Sequence, residues 1–581
     1  MSILRTGSGD STATSPGAPA ARRLGRVPVP DLLAVAGLVV VAGLIEFFLR
    51  SLLTRHFYYD EAWRAYEIAQ GSDFLTRLPA AVAPVAFGWL GIENAARVLL
   101  GNTEAGLRAP MFLALPLLAA ATYWLARRWL GIGVSFCVAG LLLANTWIIN
   151  YALQLKPYSF EGLLTVAAVA LYVLLHRTST GHPAKLIGLY ALLGLTCVFS
   201  LPNLFVVGPL LALDLVEALR ARDRVALRIG GETLAAAIAL AHYVMFVRLQ
   251  SGIASVFFHT RYAPDKLGAF VRFAIKGTES YVPSMVTGVA GGARSLATPS
   301  YALPPAAHHL LAVALVLMLA AGVVAAVRDV AGRALVVAAG GALLLELLAS
   351  AMQRWPFGLL RMNIFVLPLL YILGGIGVRW LAVMLRGPVR ADGSRPMAAT
   401  WSRVIGLGVA AAALVAAGAA AGVATAHALA ETSELQAKPT WFGGTAAAVA
   451  DARLEAKPDD LVIIRADRSP PAWYVGPWLY YMKWYEGYPE PVASSPRVPA
   501  SNTFAVAFVK PDAVDQFLAA HAGSPAIFLL EYDASGGRFP QSTHRESLSA
   551  LLRFGYCPER DIALPDTGEL TVLGRSGCSR S

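Results

Sequence analysis

The chain has 581 residues, of which 56% are hydrophobic and only 15% are charged, and its formal net charge is +11. A soluble domain usually carries about 25% charged residues, so this composition excludes a water-soluble fold. The basic residues lie mostly in short segments between apolar runs, where they orient a membrane protein and do not indicate binding to nucleic acid. We therefore expect a polytopic α-helical membrane protein.

The N-terminal residues 1–28 are rich in Ser, Gly, Ala, Pro and Arg, which favours a disordered segment on the cytoplasmic side. The apolar run that follows, from Asp31 to Phe48, is long for a signal peptide and lacks a convincing small-residue cleavage site. This run is predicted to be an uncleaved first membrane span.

A hydrocarbon core about 30 Å thick needs about 20 apolar residues per helix, and runs of that length predict about 11 spans within residues 29–427. The boundary at Pro202 is the least well defined, and an inside N-terminus places most Arg and Lys clusters on the cytoplasmic side. The outer loops are then 51–108 and 249–307. The predicted spans are 31–50, 109–126, 132–150, 159–175, 185–200, 203–218, 229–247, 308–327, 334–351, 363–383 and 404–427.

Residues 428–581 are predicted to form a separate extracytoplasmic α/β domain, because β-rich runs alternate there with helix-like segments. These runs are Leu461–Ile464, Phe504–Val509 and Ala526–Leu530. Cys557 and Cys578 would face an oxidising compartment and can form a disulfide, and the spacing of the four cysteines does not indicate zinc. The aromatic segment 473–488 is expected to rest on the membrane interface or in the core of this domain, with sugar stacking as the alternative.

The first motif is His56-Phe-Tyr-Tyr-Asp-Glu-Ala-Trp-Arg64, directly after the first span on the outer face. Its two adjacent acids have two interpretations. Asp60 can cap a helix that begins at Glu61, which would then be an ordinary first-turn acid. Alternatively, the pair is a general base at the membrane surface, with Asp60 also able to bind a divalent cation.

Two further segments on the outer face resemble a known family when they are taken with the first. They are Asn150-Tyr-Ala-Leu-Gln-Leu-Lys-Pro-Tyr-Ser159 and Trp355-Pro-Phe-Gly-Leu-Leu-Arg361. In this order the three motifs resemble the GT-C membrane glycosyltransferases, in the branch of protein O-mannosyltransferases and aminoarabinose transferases. The resemblance covers about residues 31 to 385. With the alanine- and arginine-rich composition it also suggests an actinobacterial source.

The resemblance implies transfer of a sugar from a polyprenyl-phosphate donor to a glycan, lipid or protein acceptor outside the cytoplasm. Asp60 would act as the base of an inverting reaction, with Glu61 as its catalytic partner. A phosphate leaving group needs cations as its charge develops. Lys156, Arg361 and Arg354 are available for this role on the correct face, although each is also a plausible interfacial anchor. The further substrate-binding candidates are Tyr59, Gln154, Tyr158 and His259.

One position departs from the family pattern, because Gln154 stands where the family carries Glu. An acidic position is therefore lost, and Gln154 either hydrogen-bonds substrate or weakens a metal site. Dependence on a divalent cation, Mg²⁺ or Mn²⁺, with Asp60 as the candidate ligand, stays open.

Several polar residues lie inside the predicted spans, where an acid is a functional candidate by default. For Asp214 and Glu217 we expect pairing with Arg220 or Arg222 near the interface. Glu346 can face the donor cavity or an ion path, and His242 is expected to pack between helices.

Three other functions fit the topology. A flippase or transporter of a lipid-linked sugar also needs many spans, but no matching pair of interrupted helices is visible. A surface-polysaccharide polymerase or ligase would not need the early Asp-Glu pair. A catalytically inactive, glycan-binding relative would explain Gln154. The sequence does not identify the sugar, and family analogy favours mannose or arabinofuranose.

Overall fold

The structure is a computed structural model. It describes residues 28–54, 57, 59–69, 84–178, 182–222, 224–250, 262–287, 305–358, 361–385, 461–467, 480, 526–533, 541–564 and 568–575. The predicted span 404–427 and almost all of the predicted cytoplasmic segment 1–28 lie outside these residues.

The described chain before residue 386 is helical throughout, with two short 3-10 helices at Val247–Leu249 and Arg361–Val366. Its α-helices are α1 (Val29–Phe48), α2 (Ser51–Thr54), α3 (Tyr59–Ala69), α4 (Phe87–Leu100), α5 (Glu104–Ala126), α6 (Ile132–Leu143), α7 (Thr146–Ala152), α8 (Tyr158–Thr178), α9 (Pro183–Phe199), α10 (Asn203–Ala221), α11 (Val225–Met245), α12 (Leu267–Thr287), α13 (Pro305–Ala326), α14 (Val330–Ala351) and α15 (Leu367–Leu385).

Six helical segments of the described chain are long and apolar enough to cross a membrane, and three further apolar helices are shorter. Every predicted run from 31–50 to 363–383 coincides with helix, which confirms the polytopic helical fold. The total of about 11 spans stays a prediction. The six segments are Val29–Phe48, Glu104–Ala126, Tyr158–His176, Val225–Leu249, Val330–Ala351 and Arg361–Met384.

The predicted single span 132–150 is wrong in one respect, because the chain forms two helices there, α6 and α7. The break falls at Asn145, whose side-chain oxygen accepts hydrogen bonds from the amides of Trp147 and Ile148 and so caps α7. A capping side chain ends one helix and begins the next even inside an apolar run. The uncertain pair around Pro202 is resolved into two helices, α9 and α10.

Helices α13 and α15 cross with their backbones in direct contact. A Cβ atom added to Gly377 would overlap the carbonyl oxygen of Met318, and one added to Gly322 would overlap that of Leu373. Glycine at a crossing lets two helices approach closely, which is a common way to pack helices in a membrane. This crossing therefore depends on glycine at both positions.

Ion pairs tie helices together at the predicted cytoplasmic end. Asp214 pairs with Arg228 and Glu217 pairs with Arg333, so the expected pairing with Arg220 or Arg222 is wrong. The actual partners come from other helices, which sequence proximity cannot reveal. The carboxylate of Asp31 in α1 likewise pairs with Arg127, just beyond α5.

The described part of the C-terminal segment is one sheet with one helix. Its elements are β1 (Leu461–Asp467), β2 (Ala526–Asp533), α16 (Gln541–Arg553), β3 (Cys557–Leu564) and β4 (Gly568–Gly574). The strand order is β1-β2-β4-β3, with β1 and β2 parallel and the other pairs antiparallel. The runs predicted at 461–464 and 526–530 are strands, and the run at 504–509 lies outside the described residues. Cys557 is disulfide-bonded, Cys137 and Cys197 are free, and Cys578 lies outside the described residues.

Candidate active site

The first motif opens helix α3, which begins at Tyr59. The helix therefore begins two residues before Glu61, and Asp60 is its second residue. An acid in a first turn is favoured by the helix dipole. The side chains of Tyr59 and Asp60 lie outside the described part of the structure.

Glu61 is fully buried and is bound on both of its carboxylate oxygens. The guanidinium of Arg108 donates from Nε to Oε1 at 3.0 Å and from Nη2 to Oε2 at 3.1 Å. Arg108 is itself fully buried, and its Nη1 donates to the carbonyl oxygens of Leu52 and Leu53 at 3.1 and 2.8 Å. Such a bidentate ion pair is strong and directional. Glu61 thus anchors α3 to the start of α5 and to the end of α2.

Glu61 also joins the first motif to the second. Its Oε1 accepts a hydrogen bond from the backbone N–H of Leu155 at 2.7 Å. Asp60 precedes Glu61 and Lys156 follows Leu155, so each candidate functional residue neighbours a residue held in this contact. The structure therefore brings the first and second motifs into direct contact at Glu61 and Leu155.

The second motif lies in the turn between α7 and α8. Gln154 is buried and donates from Nε2 to Asn150 Oδ1 at 3.1 Å, a hydrogen bond that links the two ends of this turn. The amide of Lys156 donates to the Gln154 carbonyl at 2.8 Å, and Tyr158 packs edge-on against Tyr151 with ring centroids 5.0 Å apart. Ser159 Oγ donates to the Ile148 carbonyl at 3.0 Å. These bonds fix the path of the chain on both sides of Lys156.

The third motif is a turn organised by Asn363. Its Nδ2 donates to the carbonyl oxygens of Pro356 and Gly358 at 2.9 and 2.8 Å, and its Oδ1 accepts from the indole N–H of Trp355 at 2.6 Å. Gly358 has a φ of +99°, which glycine adopts without strain. Asn363 thus sets the shape of the segment that ends at Arg361.

A buried tyrosine connects this turn to α14. The hydroxyl of Tyr281 lies 2.9 Å from Glu346 Oε2 and 3.3 Å from the carbonyl oxygen of Gly358. Glu346 is fully buried, and its other oxygen has no partner among the described residues. Glu346 is therefore linked to the backbone of the third motif through the hydroxyl of Tyr281.

The two arginines of the third motif lie in different surroundings. Arg361 begins the 3-10 helix that packs against α7 and α8, the helices that flank the second motif. Arg354 is exposed, and its charge opposes the effect of burial, which raises the pKa of Tyr262. Only Arg361 is therefore on an element that contacts the second motif. His259 lies outside the described residues.

The described residues do not fit a cation site. Both oxygens of Glu61 are engaged by Arg108 and Leu155, and Gln154 offers one neutral oxygen. Within the described ranges no group of three or more His, Cys, Asp or Glu residues could hold a metal. A cation at Asp60 stays a prediction, and we derive no step through one.

The aromatic segment of the tail has one described residue, Tyr480, which is buried. Its ring packs edge-on against Phe57 at 5.2 Å, and its hydroxyl donates to the carbonyl oxygen of Asn102 at 3.2 Å. Phe57 in turn lies under the guanidinium of Arg108, at 4.7 Å from its ring centroid. This tyrosine packs against the predicted outer loop beside the Glu61–Arg108 pair.

Two organising residues escaped the sequence reasoning. Arg108 stands at the start of an apolar run, where it reads as an interfacial anchor, and Asn363 stands two residues after the motif ends. A buried carboxylate needs a cationic partner, so Glu61, if buried, would have indicated a partner such as Arg108. The sequence held no comparable signal for Asn363.

The described helices form a polytopic bundle, in agreement with the predicted GT-C-like fold. The structure is similar to the crystal structure of ArnT from Cupriavidus metallidurans bound to undecaprenyl phosphate, with a TM-score of 0.52 and 14% sequence identity. The match covers 94% of this chain and 98% of that chain. At this identity the likeness shows the fold, and it confirms the predicted resemblance at that level. The predicted actinobacterial source has no support.

The apo structure of the same protein matches with the same TM-score of 0.52. Archaeal oligosaccharyltransferase AglB from Archaeoglobus fulgidus, in complex with an inhibitory peptide and a dolichol-phosphate, matches with a TM-score of 0.47 and 13% identity, over 86% of this chain and 70% of that chain. A TM-score this low adds nothing to the assignment of the fold. No protein-family model and no curated protein matches the chain.

Proposed function

We propose that the protein transfers a sugar from a polyprenyl-phosphate donor to an acceptor outside the cytoplasm. The observation that carries this proposal is the bond between Glu61 and the amide of Leu155, which joins the acid-bearing first motif to the cation-bearing second motif. A base beside a phosphate-binding cation is what attack on a phosphate-activated sugar requires. ArnT, whose fold the chain shares, has been crystallised with undecaprenyl phosphate, which supports a lipid-phosphate donor.

In this proposal Asp60 accepts the proton of the acceptor hydroxyl as its oxygen attacks the anomeric carbon. The bond from that carbon to the phosphate oxygen breaks on the opposite face, so the configuration inverts. Lys156 and Arg361 stabilise the negative charge that develops on the departing polyprenyl phosphate. Arg354 is exposed and is assigned to a peripheral role in donor capture.

Glu61 contributes in this scheme by holding the parts in place. Because its carboxylate is engaged by Arg108 and by the Leu155 amide, it fixes the helix of Asp60 relative to Lys156. Tyr59, Tyr158, Gln154 and His259 are assigned to the substrate pocket. Mannosyl and arabinosyl donors, and glycan, lipid or protein acceptors, are the candidate substrates.

The test is release of polyprenyl phosphate from radiolabelled donors by the full chain in proteoliposomes. We expect wild-type protein to release it when an acceptor extract is present. Asp60→Asn is expected to lose activity by about 10²- to 10⁴-fold, the usual contribution of a general base. Asp561→Asn, an exposed acid in β3, is the matched control and should keep full activity.

A flippase would move the labelled donor across the bilayer without releasing polyprenyl phosphate, and an inactive glycan-binding relative would do neither. Either result contradicts the proposal. If Asp60→Asn releases polyprenyl phosphate as fast as wild type, the proposed glycosyl transfer stands but Asp60 is not its general base.

A further inference from the structure

A group of buried polar side chains lies at the end of the bundle that carries the three motifs. Glu161 is in the first turn of α8, directly after the second motif, and Ser200 and Asn203 lie at the turn between α9 and α10. Phe205, in the first turn of α10, meets the ring of Trp355 with centroids 5.5 Å apart. The group is therefore next to both the second and the third motif.

One hydrogen bond links these helices. Thr165 Oγ1 donates to Asn203 Oδ1 at 3.0 Å, and both residues are fully buried. Glu161 precedes Thr165 by four residues on α8, so the two side chains share one face of the helix. Glu161 therefore lies on the side of α8 that meets Asn203.

The remaining polar atoms of this group have no partners in the described part of the chain. Asn203 Nδ2 and Ser200 Oγ are buried and make no hydrogen bond. Glu161 is 5% exposed and forms neither an ion pair nor a hydrogen bond through its carboxylate with any described residue. Leaving such groups unpaired costs free energy, so several together at one place call for a ligand that pairs with them.

The chemistry of these atoms selects the ligand. A carboxylate accepts hydrogen bonds, an amide N–H donates them, and a serine hydroxyl does both. Neighbouring hydroxyl groups of a sugar ring, which both donate and accept hydrogen bonds, complement this set. We propose that Glu161, Ser200 and Asn203 form a subsite for the hydroxyl groups of the donor's sugar, an inference that rests on the proposed function.

The position of the subsite relative to Lys156 agrees with this assignment. The amide of Glu161 donates to the carbonyl of Pro157 at 2.8 Å, and Pro157 directly follows Lys156. The backbone of Glu161 is thus one helical turn, ~5.4 Å, from that of Pro157, a distance close to the width of a sugar ring. Lys156 would hold the phosphate while the subsite holds the sugar attached to it.

The test compares the binding of three lipids to the full chain in nanodiscs: undecaprenyl phosphate, undecaprenyl-phosphomannose and decaprenyl-phosphoarabinose. The readout is the sugar preference, defined as the Kd of the bare lipid phosphate divided by that of the better glycosylated lipid. We expect a clear preference in wild type. Glu161→Gln, Asn203→Leu and Ser200→Ala should each reduce it, by up to about tenfold, without changing the Kd of undecaprenyl phosphate.

Ser135→Ala is the matched control, because Ser135 is also a buried hydroxyl without a partner in the described residues but lies in α6, outside this group. It should leave the sugar preference unchanged. Glu161→Gln and Ser200→Ala preserve or reduce side-chain volume, so they carry the test if Asn203→Leu fails to fold.

Two results overturn the subsite alone: wild type that binds undecaprenyl phosphate without any sugar preference, and variants that keep the wild-type preference. A wild-type protein that binds none of the three lipids overturns the proposed function and the subsite with it. The two failures are thus distinguishable by the binding of the bare lipid.

Discussion

Replacing Glu61 by Gln would remove the negative charge from the most buried ion pair of the site while changing the side-chain volume little. Two charge-assisted hydrogen bonds from Arg108, at 3.0 and 3.1 Å, would lose their acceptor charge. The guanidinium would remain buried without its carboxylate. Breaking a buried pair on one side costs about 3–5 kcal/mol, so we expect a loss of that size in the free energy of unfolding.

The same reasoning predicts how the partner behaves. Arg108→Met should cost a similar amount, because it leaves the Glu61 carboxylate buried without its cation. The double variant Glu61→Gln/Arg108→Met should be more stable than the sum of the single losses predicts, with a coupling energy of about 2 kcal/mol or more. This coupling is the quantity that reports on the pair itself.

Equilibrium unfolding in mixed micelles with increasing SDS measures these free energies. Arg333→Met serves as the control, since Arg333 is 38% exposed in its pair with Glu217 and should cost about 1 kcal/mol or less. A loss below about 1 kcal/mol for Glu61→Gln, together with a coupling energy near zero, would refute the buried pair.

Three further predictions concern separate parts of the molecule. Gly377→Ala, at the helix crossing, should abolish folding or cost at least 3 kcal/mol or so in the same unfolding assay, whereas Gly340→Ala, which meets no atom within 4 Å, should be neutral or slightly stabilising. Glu93 in α4 is fully buried, and burial raises its pKa well above the ordinary value, so ionisation favours unfolding as the pH rises above about 4.5. Glu93→Gln should therefore be more stable than wild type at pH 8, with the difference vanishing below about pH 4, and equal stabilities at pH 8 would contradict this. Asn363→Leu should weaken binding of undecaprenyl phosphate by about tenfold because the turn before Arg361 loses both of its carbonyl contacts, and an unchanged Kd would separate that turn from donor binding.

Span length predicted the helical bundle well, because each helix must satisfy its own backbone across the membrane. The break at Asn145 was missed because hydropathy averages over a window and does not register one capping side chain. The pairing of Asp214 and Glu217 was wrong for a related reason. Ion pairs between helices depend on packing, which the spacing along the chain does not contain.

The candidate site, too, could be predicted from the sequence only in part. Residues that recur in a motif, such as Glu61 and Lys156, could be named from the sequence. Residues that hold the motifs in place could not, because Arg108 and Asn363 have their effect through contacts with distant backbone atoms. The role of Glu61 also changed in character, from a catalytic candidate to a carboxylate whose described contacts are with Arg108 and Leu155.

The contact of Tyr480 with Phe57 and Asn102 bears on how the protein can be divided for study. A chain truncated before residue 428 would lose a buried ring from the wall beside Arg108, and would leave the Phe57 face and the Asn102 carbonyl open to solvent. Deleting the tail would therefore alter the segment around Phe57 and Asn102 as well as remove the tail itself. Loss of activity in such a truncated protein would not by itself assign acceptor binding to the tail, whereas Tyr480→Ala in the full chain would isolate this one contact.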